Sequence, residues 1–196
     1  QGVPSGWVWG DLGNYYGAGP SGLTIFDNIL KYHFKTGKNV GDSTLLICSH
    51  PFIPNLQIHN EVISAKSRRD NWYLYTSPYS NFISIRGGLH QNEDDFMIKG
   101  SIPDPEFVFA YEMDYALSKA GIHTSYYPTT NRLLTLDTNY IKPEQNTIHP
   151  HCSPSLKSII SWTNERSVNL FAEHLLCQIS VKRNGYGSTY NGALIT

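Results

Sequence analysis

The stretch SPSLKSIISWTNERSVNLFAEHLL, residues 153–176, decides how this chain is read. Ser153-Pro154-Ser155 is a helix-start signal: a hydroxyl to accept from an orphan N–H, and a proline whose fixed φ suits a first turn. Leu156, Ile159, Ile160 and Thr163 then fall at i, i+3, i+4 and i+7, one face of a short helix. Thr163-Asn164 is expected to break it, because both residues favour local side-chain to backbone bonds. A second helix is expected from about Ser167, with Val168, Phe171, Ala172, Leu175, Leu176 and Ile179 as a wide apolar stripe. Ser167 therefore sits at a helix–helix joint, with Asn169 two residues on. Read locally, Ser167 is an N-cap worth about 1 kcal/mol. The competing reading points both side chains into a cleft. Ser-x-Asn alone does not decide, since a Ser- and Asn-rich chain of this length contains roughly one by chance.

Composition narrows the field. The chain has 196 residues, 40 % apolar and 16 % charged, with a net charge of −1. Such a charge balance leaves no electrostatic footprint for nucleic acid or an anionic membrane. The low charged fraction fits an exported protein. Thirteen Tyr and four Trp favour strands and amphipathic binding surfaces. Cys48, Cys152 and Cys177 are odd in number and far apart, so no disulfide framework follows. No apolar run reaches membrane-spanning length. Gln1-Gly2-Val3-Pro4 is not a natural start, which leads us to expect a piece of a longer protein.

Working backwards along the chain, residues 1–23 are rich in Gly, Pro and aromatics. They are expected to be extended and tightly packed, anchored by Trp7, Trp9, Tyr15 and Tyr16, with Asp11 capping a turn. An aromatic platform for sugar or peptide is the functional alternative. Residues 24–103 read as short strands: Leu30, Tyr32 and Phe34 alternate with polar neighbours, as do Leu56, Ile58, Asn60 and Val62. Further runs lie at 45–48, 72–76, 82–86 and 96–101, separated by turn residues that include 67–71. A largely antiparallel sheet unit is expected. Asp104-Pro105-Glu106 then opens a helix with Ala110, Met113, Leu117 and Ala120 on one face and Gly121 past its end. Residues 122–152 return to loops and short strands, one of them over 132–136. The best boundary falls at 143–154, where three prolines precede the helix pair.

Three constellations suggest chemistry and are set aside. His149-Pro150-His151-Cys152 lacks helical i, i+4 geometry and an obvious fourth ligand, so surface residues are expected rather than zinc. Glu173 and His174 diverge by roughly 100° on a helix, so His174 is expected to pack or cap a neighbour. Lys35-Thr36-Gly37 matches a clamp of penicillin-recognising enzymes but precedes Ser167 by about 130 residues and lies between strands; it reads as a decoy. No serine has a lysine at +3, the spacing that would activate it.

Two stretches together carry a resemblance. Trp7-Val8-Trp9-Gly10-Asp11-Leu12-Gly13-Asn14-Tyr15-Tyr16-Gly17-Ala18, continuing to Ser21-Gly22-Leu23 and Asp27-Asn28, resembles the D-alanyl-D-alanine carboxypeptidase/endopeptidase family. These are the class C penicillin-binding proteins, peptidase family S13. Gly100-Ser101-Ile102-Pro103, Ser153-Pro154-Ser155-Leu156 and the run 167–176 are similar to the same family, in a Bacteroidetes-like form. The resemblance implies an α+β chain: a strand-rich inserted accessory region followed by a helical piece of a penicillin-binding, serine β-lactamase-like catalytic domain. Residues 1–103 would be the mainly β part, 104–150 an α/β segment, and 151–196 the returning catalytic segment. The nucleophilic Ser with its Lys, and a working Lys-Thr-Gly, would lie outside the chain. Ser167 would relay a proton to the leaving group, and Asn169 would hydrogen-bond the substrate carbonyl. The implied partners are peptidoglycan stem peptides and β-lactam antibiotics, in the periplasm or cell envelope, with no cofactor or metal. A non-catalytic peptidoglycan-binding or scaffolding role is the alternative.

Overall fold

Leu30, Tyr32 and Phe34 are each 0 % exposed. Burying such a leucine or phenylalanine stabilises by about 1.5–3 kcal/mol. They lie on β1 (Ile29–Lys35), the middle strand of an antiparallel sheet ordered β2-β1-β6, with β2 at Leu45–His50 and β6 at Phe96–Ser101. A second sheet is ordered β3-β5-β4, formed by β3 (Gln57–Ala65), β4 (Asn71–Tyr75) and β5 (Phe82–His90). The structure is a computed structural model that describes every residue except Gln1, Gly2, Ser5, Arg68, Asp70, Gln145 and Ile148. The expected polar turn at 67–71 therefore lies partly outside the described residues.

The expectation of a largely antiparallel unit holds: both strand pairs of the first sheet are antiparallel, and only the second sheet is mixed. In the second, β5 pairs antiparallel with β4 but parallel with β3. Alternating side chains fix which face of a strand is buried, not the direction of its partner. One apolar core joins the sheets: Leu30, Tyr32, Phe34 and Ile98 meet Val62, Leu74, Ile83, Ile85 and Leu89. The Tyr32 hydroxyl has no hydrogen-bond partner among the described residues. Burial drives that phenol far above its ordinary pKa, so it stays neutral.

The N-terminal segment is not extended. It forms a one-turn helix α1 (Trp9–Leu12), then 3-10 turns at Tyr15–Gly17 and Phe26–Asn28. Asp11 does cap: its Oδ2 accepts from Val8 N at 3.2 Å. Glycine argues against long helices, but a single turn tolerates Gly10. Of the four expected anchoring rings only Trp7 is half-buried; Trp9, Tyr15 and Tyr16 are 64 %, 46 % and 39 % exposed and are not the main anchors. The backbone and Asn14 hold the segment instead. Asn14 is buried; its Oδ1 accepts from Leu74 N at 3.3 Å and its Nδ2 donates to Gly10 O at 2.6 Å. Ser101 N donates to Gly13 O at 2.9 Å. At Gly13 a Cβ would lie 2.0 Å from Leu74 O, so only glycine lets this strap press against β4.

The helix expected after Asp104 is α2 (Pro105–Lys119), with Asp104 Oδ1 accepting from Phe107 N at 3.2 Å and Gly121 at φ +79° beyond its end. Its expected stripe is not its buried face. Val108 reaches the core, whereas Met113 is 46 % exposed and lines an open groove with Ala110 and Leu117. The strand expected over 132–136 is instead α3 (Asn131–Leu134), because Thr130 Oγ1 caps Leu133 N at 3.2 Å. Arg132 pairs with Asp104 and stacks over Tyr79 at 4.1 Å, tying α3 to the start of α2. The chain then forms α4 (Leu156–Arg166), α5 (Asn169–Asn184) and α6 (Thr189–Ile195). Among the described residues no helix is long and apolar enough to cross a membrane.

Candidate active-site joint

Ser155 is the cap that starts α4: its Oγ accepts from Ser158 N at 3.2 Å. The helix does not break at Thr163-Asn164. Thr163 Oγ1 donates to Ile159 O at 2.7 Å, so its polar group is satisfied inside the helix. The break comes at Ser167, which ends α4 in the left-handed conformation, φ 53° and ψ 48°. Val168 N closes the turn onto Thr163 O at 3.3 Å. The N-cap expected at Ser167 is therefore corrected. Val168 holds that position for α5, with no side-chain capping bond. The backbone of Ser167 terminates one helix, and its exposed side chain caps nothing.

A non-glycine residue in this region costs roughly 1–2 kcal/mol, and such strain clusters at functional sites. Here it turns the chain between two helices and presents Ser167 and Asn169 from the same bend. Asn169, the first residue of α5, donates from Nδ2 to Tyr16 O at 3.0 Å. Its amide keeps a second N–H and a carbonyl oxygen for other partners.

His174 fastens the same strap one turn later. Its Nδ1 donates to Leu170 O at 2.8 Å, and its Nε2 lies 3.2 Å from Thr24 Oγ1, which can donate to it. It therefore packs and caps, as its position beside Glu173 implies. Glu173 points elsewhere: its Oε2 is buried without a partner among the described residues, and burial raises its carboxyl above the ordinary value. Burial likewise raises the Cys177 thiol one turn on, with a further rise from Glu173. The face between α4 and α5 stays open. Leu156, Trp162, Phe171 and Leu175 line a groove of ≈ 970 Å³, and on α5 only Leu170 and Ser180 are fully buried.

The decoys resolve structurally. Thr36 is buried and donates to His90 O at 2.8 Å, Gly37 N donates to Ser64 Oγ at 2.8 Å, and Lys35 pairs with Asp94 at 2.7 Å. Lys35-Thr36-Gly37 thus belongs to the junction of the two sheets. His149, His151 and Cys152 are exposed. The site residue that sequence reasoning misses is Tyr16, which enters through its backbone carbonyl; no sequence signal marks such a contact.

Comparison with known proteins follows the same lines. No curated protein matches the chain. Penicillin-binding protein 4 (dacB) from Haemophilus influenzae has a similar structure, with TM-score 0.75 and 19 % identity over 99 % of this chain and 41 % of that one. A second structure of that protein, complexed with a novel β-lactam, gives TM-score 0.65 and 18 % identity over 89 % of this chain and 38 % of that one. The chain thus spans about two fifths of the length of those solved structures, whose α+β fold it shares. The D-Ala-D-Ala carboxypeptidase 3 (S13) family matches residues 2–195. With all but its terminal residues matched, the chain belongs to the D-Ala-D-Ala carboxypeptidase 3 (S13) family.

Proposed function

We propose that these residues are part of a serine-type D-Ala-D-Ala carboxypeptidase/endopeptidase that acts on peptidoglycan stem peptides in the bacterial envelope. The observation that carries this reading is local. The one Ser-x-Asn triplet in the chain lies on an exposed, strained bend whose Asn is tied to Tyr16. Residues 151–196 are then a returning piece of the catalytic domain. Residues 1–103 and 104–150 are the accessory region between it and a nucleophile that these 196 residues do not supply.

In the intact enzyme the nucleophilic serine Oγ attacks the carbonyl carbon of the D-Ala–D-Ala bond. The C–O bond forms, the C–N bond breaks, and an acyl-enzyme results. The departing amine needs a proton, and the Ser167 hydroxyl relays it. The second N–H of Asn169 holds the substrate's peptide carbonyl and so orients the chain. Water then attacks the ester and regenerates the serine. A β-lactam carbonyl enters by the same attack and remains as the trapped acyl-enzyme.

Labelling with a fluorescent penicillin tests this. The 196-residue chain by itself is expected to remain unlabelled; covalent labelling of it would refute the placement of the nucleophile. In the intact protein, Ser167→Ala is expected to slow acylation sharply while stability stays within about 1–2 kcal/mol. An acylation rate equal to wild type would remove Ser167 from the site. An intact wild-type protein that never labels would favour a non-catalytic scaffolding role.

A further inference from the structure

We infer that the outer face of the second sheet carries a saccharide-binding trough, built for a linear chain of neutral pyranose sugars. Side chains alternate across a sheet. Ile58, Ile83 and Leu74 face inward, and their neighbours form an outward surface. Register sets those neighbours in rows: His59 beside Ser84 and Ser84 beside Tyr75, then Glu61 beside Arg86 and Arg86 beside Tyr73. Ser84, on the central strand, is the small member of the first row and so forms a floor. Two aromatic walls rise from it. On one side Trp9, carried in by α1, meets Tyr75 with ring centroids 5.0 Å apart. On the other, His59 stacks with Phe82 at 6.4 Å and an interplanar angle of 23°. The depression between them measures ≈ 320 Å³, and Thr76, Ser77, Ser80 and Arg86 complete its lining.

Trp9 and Phe82, which line the depression, are 64 % and 47 % exposed. Rings left in water around one depression mark a binding surface. Their electrostatics specify the occupant. An aromatic face is electron-rich, and it complements the electropositive axial C–H groups of a pyranose. The equatorial hydroxyls at the sugar edge need donors and acceptors. The Arg86–Glu61 pair supplies both; the Thr76 and Ser80 hydroxyls already donate to Phe82 O and that of Ser84 to Glu61 Oε2, so these three offer lone pairs only. That pair is internally neutralised: Arg86 Nε donates to Glu61 Oε2. Partial burial would raise the Glu61 carboxyl, but Arg86 and then His59 hold it below its ordinary value. A surface with balanced charges favours an uncharged polar ligand over an ionic one. The row also continues along β4, where Tyr73 lies 6.5 Å from Tyr75, so a chain of sugars fits better than a single ring. A peptide adding to the sheet would pair with the backbone of an edge strand, not with this side-chain face.

The probe is a β-1,4-linked tetramer of N-acetylglucosamine. Its N-acetylated character rests on the proposed cell-wall role, whereas the pyranose chemistry does not. Titration of the purified protein by calorimetry or NMR is expected to show saturable binding. Trp9→Ala and Phe82→Ala, on opposite walls and both at exposed positions, are each expected to weaken it roughly five- to tenfold, with melting temperature unchanged. Tyr115→Ala, an exposed ring on α2, is expected to leave it unaffected. Absence of saturable binding overturns the inference, as does wild-type affinity in both wall variants. Binding of a sugar-free acyl-D-Ala-D-Ala peptide that both wall variants abolish also overturns it, in favour of a peptide platform. Fluorescent penicillin reads the acyl-transfer proposal separately. In the intact protein, labelling without sugar binding defeats the trough alone; sugar binding without labelling supports the trough and defeats only the enzyme.

Discussion

Replacing Gly13 by alanine tests whether the N-terminal strap is held by close backbone approach. The added Cβ would lie 2.0 Å from Leu74 O and 2.4 Å from Leu74 C. The strap must retreat by roughly 1 Å or more to reach a van der Waals separation. Gly13 has φ −81°, so alanine adds no backbone strain and the effect is steric. Overpacking of this kind costs about 1–3 kcal/mol. Retreat also stretches the bonds from Ser101 N to Gly13 O and from Leu74 N to Asn14 Oδ1, each worth about 0.5–1.5 kcal/mol. The expected loss is about 2–4 kcal/mol, or on the order of 10 °C in melting temperature. Urea and thermal unfolding followed by circular dichroism measure it. Gly10→Ala is the internal control. It sits within α1, and an added Cβ there would meet nothing within 4 Å, so it is expected to stabilise by up to about 1 kcal/mol. A Gly13→Ala protein within about 0.5 kcal/mol of wild type would refute the packing argument.

Ser167→Gly should separate stability from activity. Glycine relieves the left-handed strain of roughly 1–2 kcal/mol and loses about 0.5–1 kcal/mol through its own flexibility. Denaturation midpoints should hold or rise while β-lactam acylation of the intact enzyme falls; undiminished acylation would count against the relay. Glu173 sets a pH dependence. Its native pKa is raised above the ordinary 4.5 by burial, so the folded chain binds the extra proton. Its stabilising contribution is full below about that ordinary value and is lost as pH rises through the native one. Glu173→Gln should therefore gain melting temperature relative to wild type on going from acid to neutral pH. Parallel curves for the two proteins would contradict it.

The sequence speaks clearly where one local rule acts alone. Leu30, Tyr32 and Phe34 alternate and are buried; Asp104-Pro105 starts a helix that Gly121 follows. It speaks less clearly where two rules compete. Thr163 offers a break but satisfies itself by bonding back to Ile159, so the helix runs on to Ser167. The 132–136 run is short enough to suit either period, and the Thr130 cap makes it helical. Strand direction is set by connection geometry, so the parallel β3–β5 pair leaves no mark in the alternation. At the joint, residue types and spacing single out Ser167 and Asn169. The left-handed turn that presents them is closed locally by Val168 N on Thr163 O but without the glycine that usually marks such an end, and the carbonyl of Tyr16 that holds one of them is a tertiary contact no local pattern encodes.

That carbonyl has a consequence for assembly. The bond from Asn169 to Tyr16 closes a loop of 153 residues. Closure entropy grows slowly with length, about 0.6 kcal/mol for each doubling, so one hydrogen bond can close the span only when the intervening chain has already shortened it by folding. Both sheets lie inside that loop, and the strap reaches α5 from its seat on β4 and β6. The bend closes locally through Val168 N on Thr163 O, but its tie to the strap holds only over a correctly folded interior. Defects planted far away, in β3 or β5, should first be felt as a loosened Asn169, which makes the joint a sensor of whether the rest of the chain was built properly.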